Sequence, residues 1–227
     1  VAFANADVDY EITSPYENLN FDSLKQYKAD LHSHTTFSDG NNPLPDMVAR
    51  HYELGFDVLA ITDHGTVSTS YMTQQFNDPL KLISWVKNGG VYDYTLDPSG
   101  TTADGNDYRV DTDAATNDEF YVETVDGVDG HAMLRVPYGN EQNPTSFNNA
   151  HVNTWFADWG NGVLGGTSNY ETPIAAVDEI GGLSVINHPG EYTNARDEET
   201  QDSAYDVTDP VYNYKINKFA SLLLTYD

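Results

Sequence analysis

Three short apolar runs along the chain each lead into a histidine-bearing polar turn. Tyr27 to His32 reads as a strand interrupted by Asp30, Asp57 to Thr62 (DVLAIT) as a mostly apolar strand, and Leu183 to Asn187 (LSVIN) as another. Runs of the latter kind are typical of strands buried on both faces of a parallel sheet. Pro43 to Leu54 has helical spacing, with Met47, Val48, His51 and Leu54 on one face, Pro near the start and Gly55 as the stop. The opening is therefore strand, helix, strand, the βαβ unit. Later, Met133 to Tyr138 reads as a strand and HVNTWF, from His151, as the next. Thr172-Pro173 predicts an N-cap with Pro at the first helical position, Ile174 to Ile180 a short helix, and Gly181-Gly182 its end.

The middle of the chain breaks this rhythm. Tyr71 to Lys87 predicts a helix around Leu80, Ile83 and Val86, an Asp-, Gly- and Thr-rich stretch follows, and Phe120 to Val136 predicts a hairpin. Residues 66–130 thus read as an acidic loop and hairpin insertion, solvated and placed over one end of an α/β fold. Its acids match no EF-hand spacing, which disfavours calcium-dependent adhesion. Residues 1–24, with a turn at Ser14-Pro15, read as an N-terminal extension packed on a domain spanning 25–227. A chain of 227 residues can bury one sizeable core.

Charge narrows the function. With 36 acidic against 10 basic residues the net charge is −26, which excludes a nucleic-acid-coating surface built on Lys and Arg and disfavours anionic lipid. There is no cysteine, so disulfides, Cys-ligated zinc and thiol nucleophiles are all excluded. No apolar run reaches the roughly 18 residues of a membrane span. Ala4-Asn5-Ala6 fits the small-x-small pattern of a signal-peptidase site and predicts an exported protein.

The turns after the apolar runs carry the chemistry: His32 and His34 after the first, His64 after DVLAIT, His188 after LSVIN, with Asp39 and Asp63 beside them. Functional groups of parallel barrels lie at C-terminal strand ends, so these histidines should converge. Alternate residues of an extended segment point the same way, which lets His32 and His34 grip one ion. Histidine with carboxylate and no sulfur suits Zn, Mn, Fe or Co better than Ca or Mg. His51, on the apolar helix face, reads as a packed side chain and not a ligand.

The segments DLHSHTTFSDG, LGFDVLAITDHG and VINHPG, in this order between Tyr27 and Gly190, resemble the PHP (polymerase and histidinol phosphatase) superfamily of metal-dependent phosphoesterases. The resemblance implies a distorted (β/α)7 TIM-like barrel holding up to three divalent ions, Zn, Mn or Fe. It maps metal ligands onto His32, His34, Asp39, His64 and His188. It also calls for a glutamate and a further histidine between the last two. Two pairs compete, Glu123 with His131 and Glu141 with His151; the second follows a strand end and is favoured, leaving His131 as a surface residue in a hairpin. On the family's pattern Glu141, His151 and His188 would share one ion. The family's later Asp-x-His segment has no counterpart here, since no histidine follows His188. The domain is accordingly expected to lack that element, either truncated or having lost it naturally, with its barrel and cluster incomplete at the C-terminus.

The implied reaction is hydrolysis of a phosphomonoester or phosphodiester. The bound ions would activate water and neutralise phosphoryl oxygens, and Asp30 or Asp63 would orient ligands. The acidic surface favours a small phosphorylated substrate over nucleic acid. Arg50, Arg135 and Arg196 are the arginines considered for phosphate, Arg196 foremost because it follows NHPG. The rival reading is a non-catalytic exported PHP-like module with a binding or assembly role, which the 16 tyrosines and the missing Asp-x-His would suit.

Overall fold

The computed structural model describes residues 14, 16–65, 70–71, 96–142, 151–160 and 170–188. The predicted helix from Tyr71 to Lys87, the acidic stretch up to residue 95, Arg196, and the Ala4-Asn5-Ala6 motif lie outside them, Tyr71 itself excepted.

The first strand, β1 (Ala29–Ser33), leads through the His34–Gly40 turn to α1 (Leu44–Glu53) and back to β2 (Val58–Ile61), which pairs parallel with β1. This is the predicted βαβ unit. The helix starts on extended Pro43, has Pro and Asp46 in its first turn and Arg50 and His51 in its last, and yields to Gly55 at φ +74°. Its buried face is Leu44, Val48 and Tyr52, not the predicted set. Leu54 is the C-cap residue and 49% exposed, because the chain has left the helical path there. The i, i+4, i+8 stripe packs with Leu59, Ile61, Tyr121 and Met133 in the principal core. Each such side chain, buried, contributes about 1.5–3 kcal/mol.

Next come β3 (Ser99–Thr101), β4 (Asp107–Thr112), β5 (Glu119–Val125), β6 (Val128–Asp129) and β7 (Met133–Arg135). The turn between β5 and β6 is Asp126-Gly127, both at positive φ, which suits a two-residue hairpin. The strand order is β1-β2-β7-β5-β4-β3, with β6 also on β5. β7 lies parallel to β2 and antiparallel to β5. The described part of the insertion is therefore more than a loop over one end: its hairpins extend the main sheet, held by β7.

A second sheet holds β8 (Asn140–Gln142), β9 (Val152–Trp155) and β10 (Leu183–Ile186), ordered β10-β9-β8 and antiparallel throughout. Between β9 and β10 lies α2 (Glu171–Glu179). It begins three residues before the predicted Ile174: its N-cap is Tyr170, and Pro173 sits in the first turn, where no intrahelical N–H bond is lost. Gly181, at φ +79°, ends it as expected.

The fold is thus a mixed α/β arrangement, and the described strands form no closed barrel. Two expectations need correction. β10 is not buried on both faces: Leu183 is 58% and Val185 51% exposed, lining an open apolar groove with Leu31, Trp155 and Phe156. Nor is the described part of the N-terminal extension, residues 14 and 16–24, covered by the body: Tyr16, Leu19, Phe21 and Leu24 are all exposed. Ser14 and Asn20 accept from the nearby Tyr16 and Asp22 amides, and the chain joins the body at Lys28, which bonds Asp57 and the Leu54 carbonyl. No helix among the described residues is long and apolar enough to cross a membrane.

Candidate metal centre

The two sheets meet where β2 runs out. Its extension pairs parallel with the strand entering β8 at an isolated bridge between His64 and Glu141, closed by the Gly65 amide donating to the Glu141 carbonyl at 3.1 Å. This puts the DVLAIT turn beside the acid at the head of β8. β1, parallel to β2, delivers His32 and His34 from the other side, and the β9–β10 pair brings His151 and His188 together across its end.

Glu141 is the centre, 1% exposed and within 3.8 Å of five imidazoles. Its Oε2 lies 2.9 Å from His34 Nε2 and 3.3 Å from His64 Nδ1. Its Oε1 lies 2.9 Å from His151 Nδ1, 3.3 Å from His188 Nε2 and 3.8 Å from His32 Nε2. Asp39 reaches the same cluster, 3.4 Å from His34 Nδ1 and 3.5 Å from His64 Nε2. The seven residues expected as ligands therefore lie in one side-chain cluster around Glu141.

Electrostatics follow from this crowding. Burial would raise the Glu141 carboxyl, but the bonds from His151 and His34 and the charge of His64 outweigh it, and the net direction is steeply down. Asp39 is held at about 2, chiefly by its bond to His64. Burial pushes His32 down, against the pull of Glu141. A nearly inaccessible carboxylate ringed by imidazole nitrogens is a donor set that fits a divalent transition ion. Three groups have ligand atoms all within 4.8 Å of one another: His32, His34 and Glu141; His34, Asp39 and His64; His64, Glu141 and His151. His188 touches Glu141 but joins none of these groups.

The rival pair is elsewhere. Glu123 is buried in the insertion's sheet, accepting from Tyr121 and Asn106. His131 is an exposed residue, as expected, stacked on Tyr52 at 4.2 Å with Nε2 on the Phe56 carbonyl. His51 is not a simple packed side chain: its Nε2 meets Asp30 at 2.8 Å, and Asp30 also accepts the His32 amide. Asp63, fully buried, accepts from the Thr35 amide and from the Thr35 and Ser38 hydroxyls, each at 2.7 Å, which ties the His34–Gly40 turn to β2. Burial pushes its carboxyl up, opposed by these three donors.

Residues 30–124 match the PHP domain family. The match is consistent with a PHP superfamily domain. His32, His34, Asp39 and His64 fall inside the matched stretch; Glu141, His151 and His188 lie past its end and join it only in space. Comparison with curated proteins and with solved structures gave no match.

Two features at the centre went unread in the sequence. Asn187 donates to Glu141 Oε1 at 2.9 Å and to Asn153 at 2.7 Å, clamping the acid from β9 and β10. The arginines among the described residues, by contrast, are committed elsewhere. Arg50 pairs with Glu53, and Arg135 is buried against Glu119, so neither faces the cluster. Adjacent Asn and His in VINHPG signalled the first, but only tertiary contacts show the second.

Proposed function

We propose that this PHP domain is a metal-dependent hydrolase of small phosphate esters. The observation that carries the reading is Glu141, a carboxylate shielded from water whose neighbours are five imidazoles and, through His34 and His64, Asp39. His32, His34, Asp39, His64, Glu141, His151 and His188 would hold Zn, Mn or Fe. The bound ions would supply concentrated positive charge, activating water near neutral pH and neutralising phosphoryl oxygens. The chain's own part is positional. Glu141 joins the two halves of the site, Asn187 keeps its carboxylate in register, and Asp63 braces the turn that carries His34 and Asp39. The net charge of −26 repels long polyanions, which supports a small ester over nucleic acid. The parallel β1-β2-β7 order, with histidines following β1 and β2, supports the TIM-like barrel as the underlying architecture.

One observation favours the rival, a metal-binding module without catalysis: Arg50, Arg109 and Arg135 are all engaged by carboxylates away from the cluster. A single assay separates the two. The Mn- or Zn-loaded protein should hydrolyse a simple aryl phosphate, and His64→Ala should abolish turnover. A protein that binds metal stoichiometrically yet leaves a broad panel of phosphomonoesters and phosphodiesters intact supports the module.

A further inference from the structure

His32 and His34 present Nε2 to Glu141, whereas His64 and His151 present Nδ1. What fixes the first pair can be read from the hydroxyls behind them. His32 Nδ1 lies 2.8 Å from Thr62 Oγ1, which donates to the Ser33 carbonyl at 3.3 Å. A carbonyl oxygen can only accept, so a Thr62 hydroxyl bonded to Ser33 has no second proton to give the ring. The Thr62 oxygen then faces the ring as an acceptor, and His32 must carry its proton on Nδ1. His34 repeats the arrangement. Its Nδ1 lies 3.1 Å from Ser38 Oγ, and that hydroxyl donates to Asp63 Oδ1 at 2.7 Å. Two relays of the same sense, ring to hydroxyl to fixed acceptor, place a proton on Nδ1 of both rings and leave Nε2, directed at Glu141, as the atom a metal would take.

We propose that Thr62 and Ser38 are positioning residues that hold the proton of His32 and His34 on Nδ1 and fix the ring orientation, so that both offer Nε2 to the metal. The inference rests on the metal-centre reading above. Thr62 is 0% exposed and part of the strand-end backbone pairing, its own amide bonding the same Ser33 carbonyl at 2.8 Å. The backbone that carries the hydroxyl is thereby held beside Ser33, and the side chain is enclosed. Neither residue touches Glu141; Thr62 acts through the imidazole in front of it, and Ser38, whose hydroxyl also lies 3.4 Å from Asp39 Oδ1, through His34. Loss of such an outer partner typically costs about 10–100-fold in metal affinity.

The experiment is a zinc titration of the metal-stripped chain by calorimetry, paired with long-range proton–nitrogen spectra of the histidine-labelled protein. Wild type should bind zinc with His32 and His34 protonated at Nδ1 and ligating through Nε2. Thr62→Val, which keeps the shape and removes the acceptor, should lower affinity by about 10–100-fold and scramble the His32 nitrogen signature. Thr62→Ser should restore both, and Ser38→Ala should disturb His34 while leaving His32 unchanged. A wild-type chain that binds no zinc overturns the metal-centre reading and this inference with it. Zinc bound through Nδ1 of His32, or Thr62→Val matching wild type in affinity and spectrum, overturns the positioning role alone.

Discussion

A Cβ placed on Gly139 would sit 2.3 Å from the carbonyl oxygen of Ile61. The strand carrying Glu141 can therefore lie against β2 only if residue 139 has no side chain. Tyr138, at φ +58°, makes the local bulge that shifts the register between the Leu59–Arg135 pair and the His64–Glu141 bridge. Gly139→Ala must push the two backbones apart. The expected cost is about 2 kcal/mol in denaturant unfolding, with weakened divalent-ion binding in the fraction that folds. An unchanged midpoint would mean that the approach is looser than described.

Asp63 gathers three donors in a site without solvent. Asp63→Ala would strand the Thr35 amide and take from the Thr35 and Ser38 hydroxyls their shortest acceptor. Hydrogen bonds to a charged group contribute about 1.5–3 kcal/mol each, not additively, so a loss of about 3 kcal/mol is expected. Thermal or urea unfolding of the metal-free protein measures it directly.

The His51–Asp30 pair, bonded to the His32 backbone, gives stability a pH dependence beside the candidate metal centre. His51 is raised above its ordinary value, first by its bond to Asp30; burial pushes Asp30 up, but the bonds from His51 and the His32 amide, with the charges of both histidines, together bring it down. A raised histidine contributes fully below its unfolded value, roughly 6.5, and loses that contribution as pH rises through its folded value. A lowered aspartate contributes above its unfolded value, roughly 3.9, and loses it as pH falls through the folded one. The advantage of wild type over His51→Gln should therefore be greatest between about pH 4 and 6.5 and shrink on the alkaline side. A difference that grows with pH would contradict the pairing.

Much of the site was legible because strand ends and alternation are local. DVLAIT followed by DHG puts His64 at the end of a buried strand, and His-x-His puts two imidazoles on one side. The choice of Glu141 over Glu123 likewise followed from its place just past a strand. Less legible was whatever depends on tertiary register. The helix face shifted to Leu44, Val48 and Tyr52 because the sheet, not the helix, decides which stripe is covered. LSVI looked buried on composition, yet an apolar run carries no information about whether a neighbour covers its second face, and here Leu183 and Val185 stay exposed. The β9–β10 pairing is antiparallel although a helix lies between the strands, an outcome the strand-helix-strand pattern alone does not suggest.

The arrangement of donors predicts how metal binding divides among residues. Glu141 belongs to two of the three groups whose ligand atoms lie within 4.8 Å, whereas Asp39 belongs to one and His188 to none. On the family's pattern Glu141, His151 and His188 would share an ion; the structure instead sets His64 with Glu141 and His151, with His188 as an additional neighbour at 3.3 Å from the acid. Affinity depends on ligand number and on how far the site is preformed. Glu141→Ala should therefore abolish tight Zn or Mn binding in the stripped chain, a loss beyond the roughly 100-fold of an outer partner. Asp39→Ala, removing a ligand that is 54% exposed by side chain, should weaken one site and spare the rest. His188→Ala should fall between them, lowering affinity without eliminating it. Calorimetric titration of the three variants ranks them. A ranking in which Asp39→Ala is the most damaging would show that the ions sit away from Glu141.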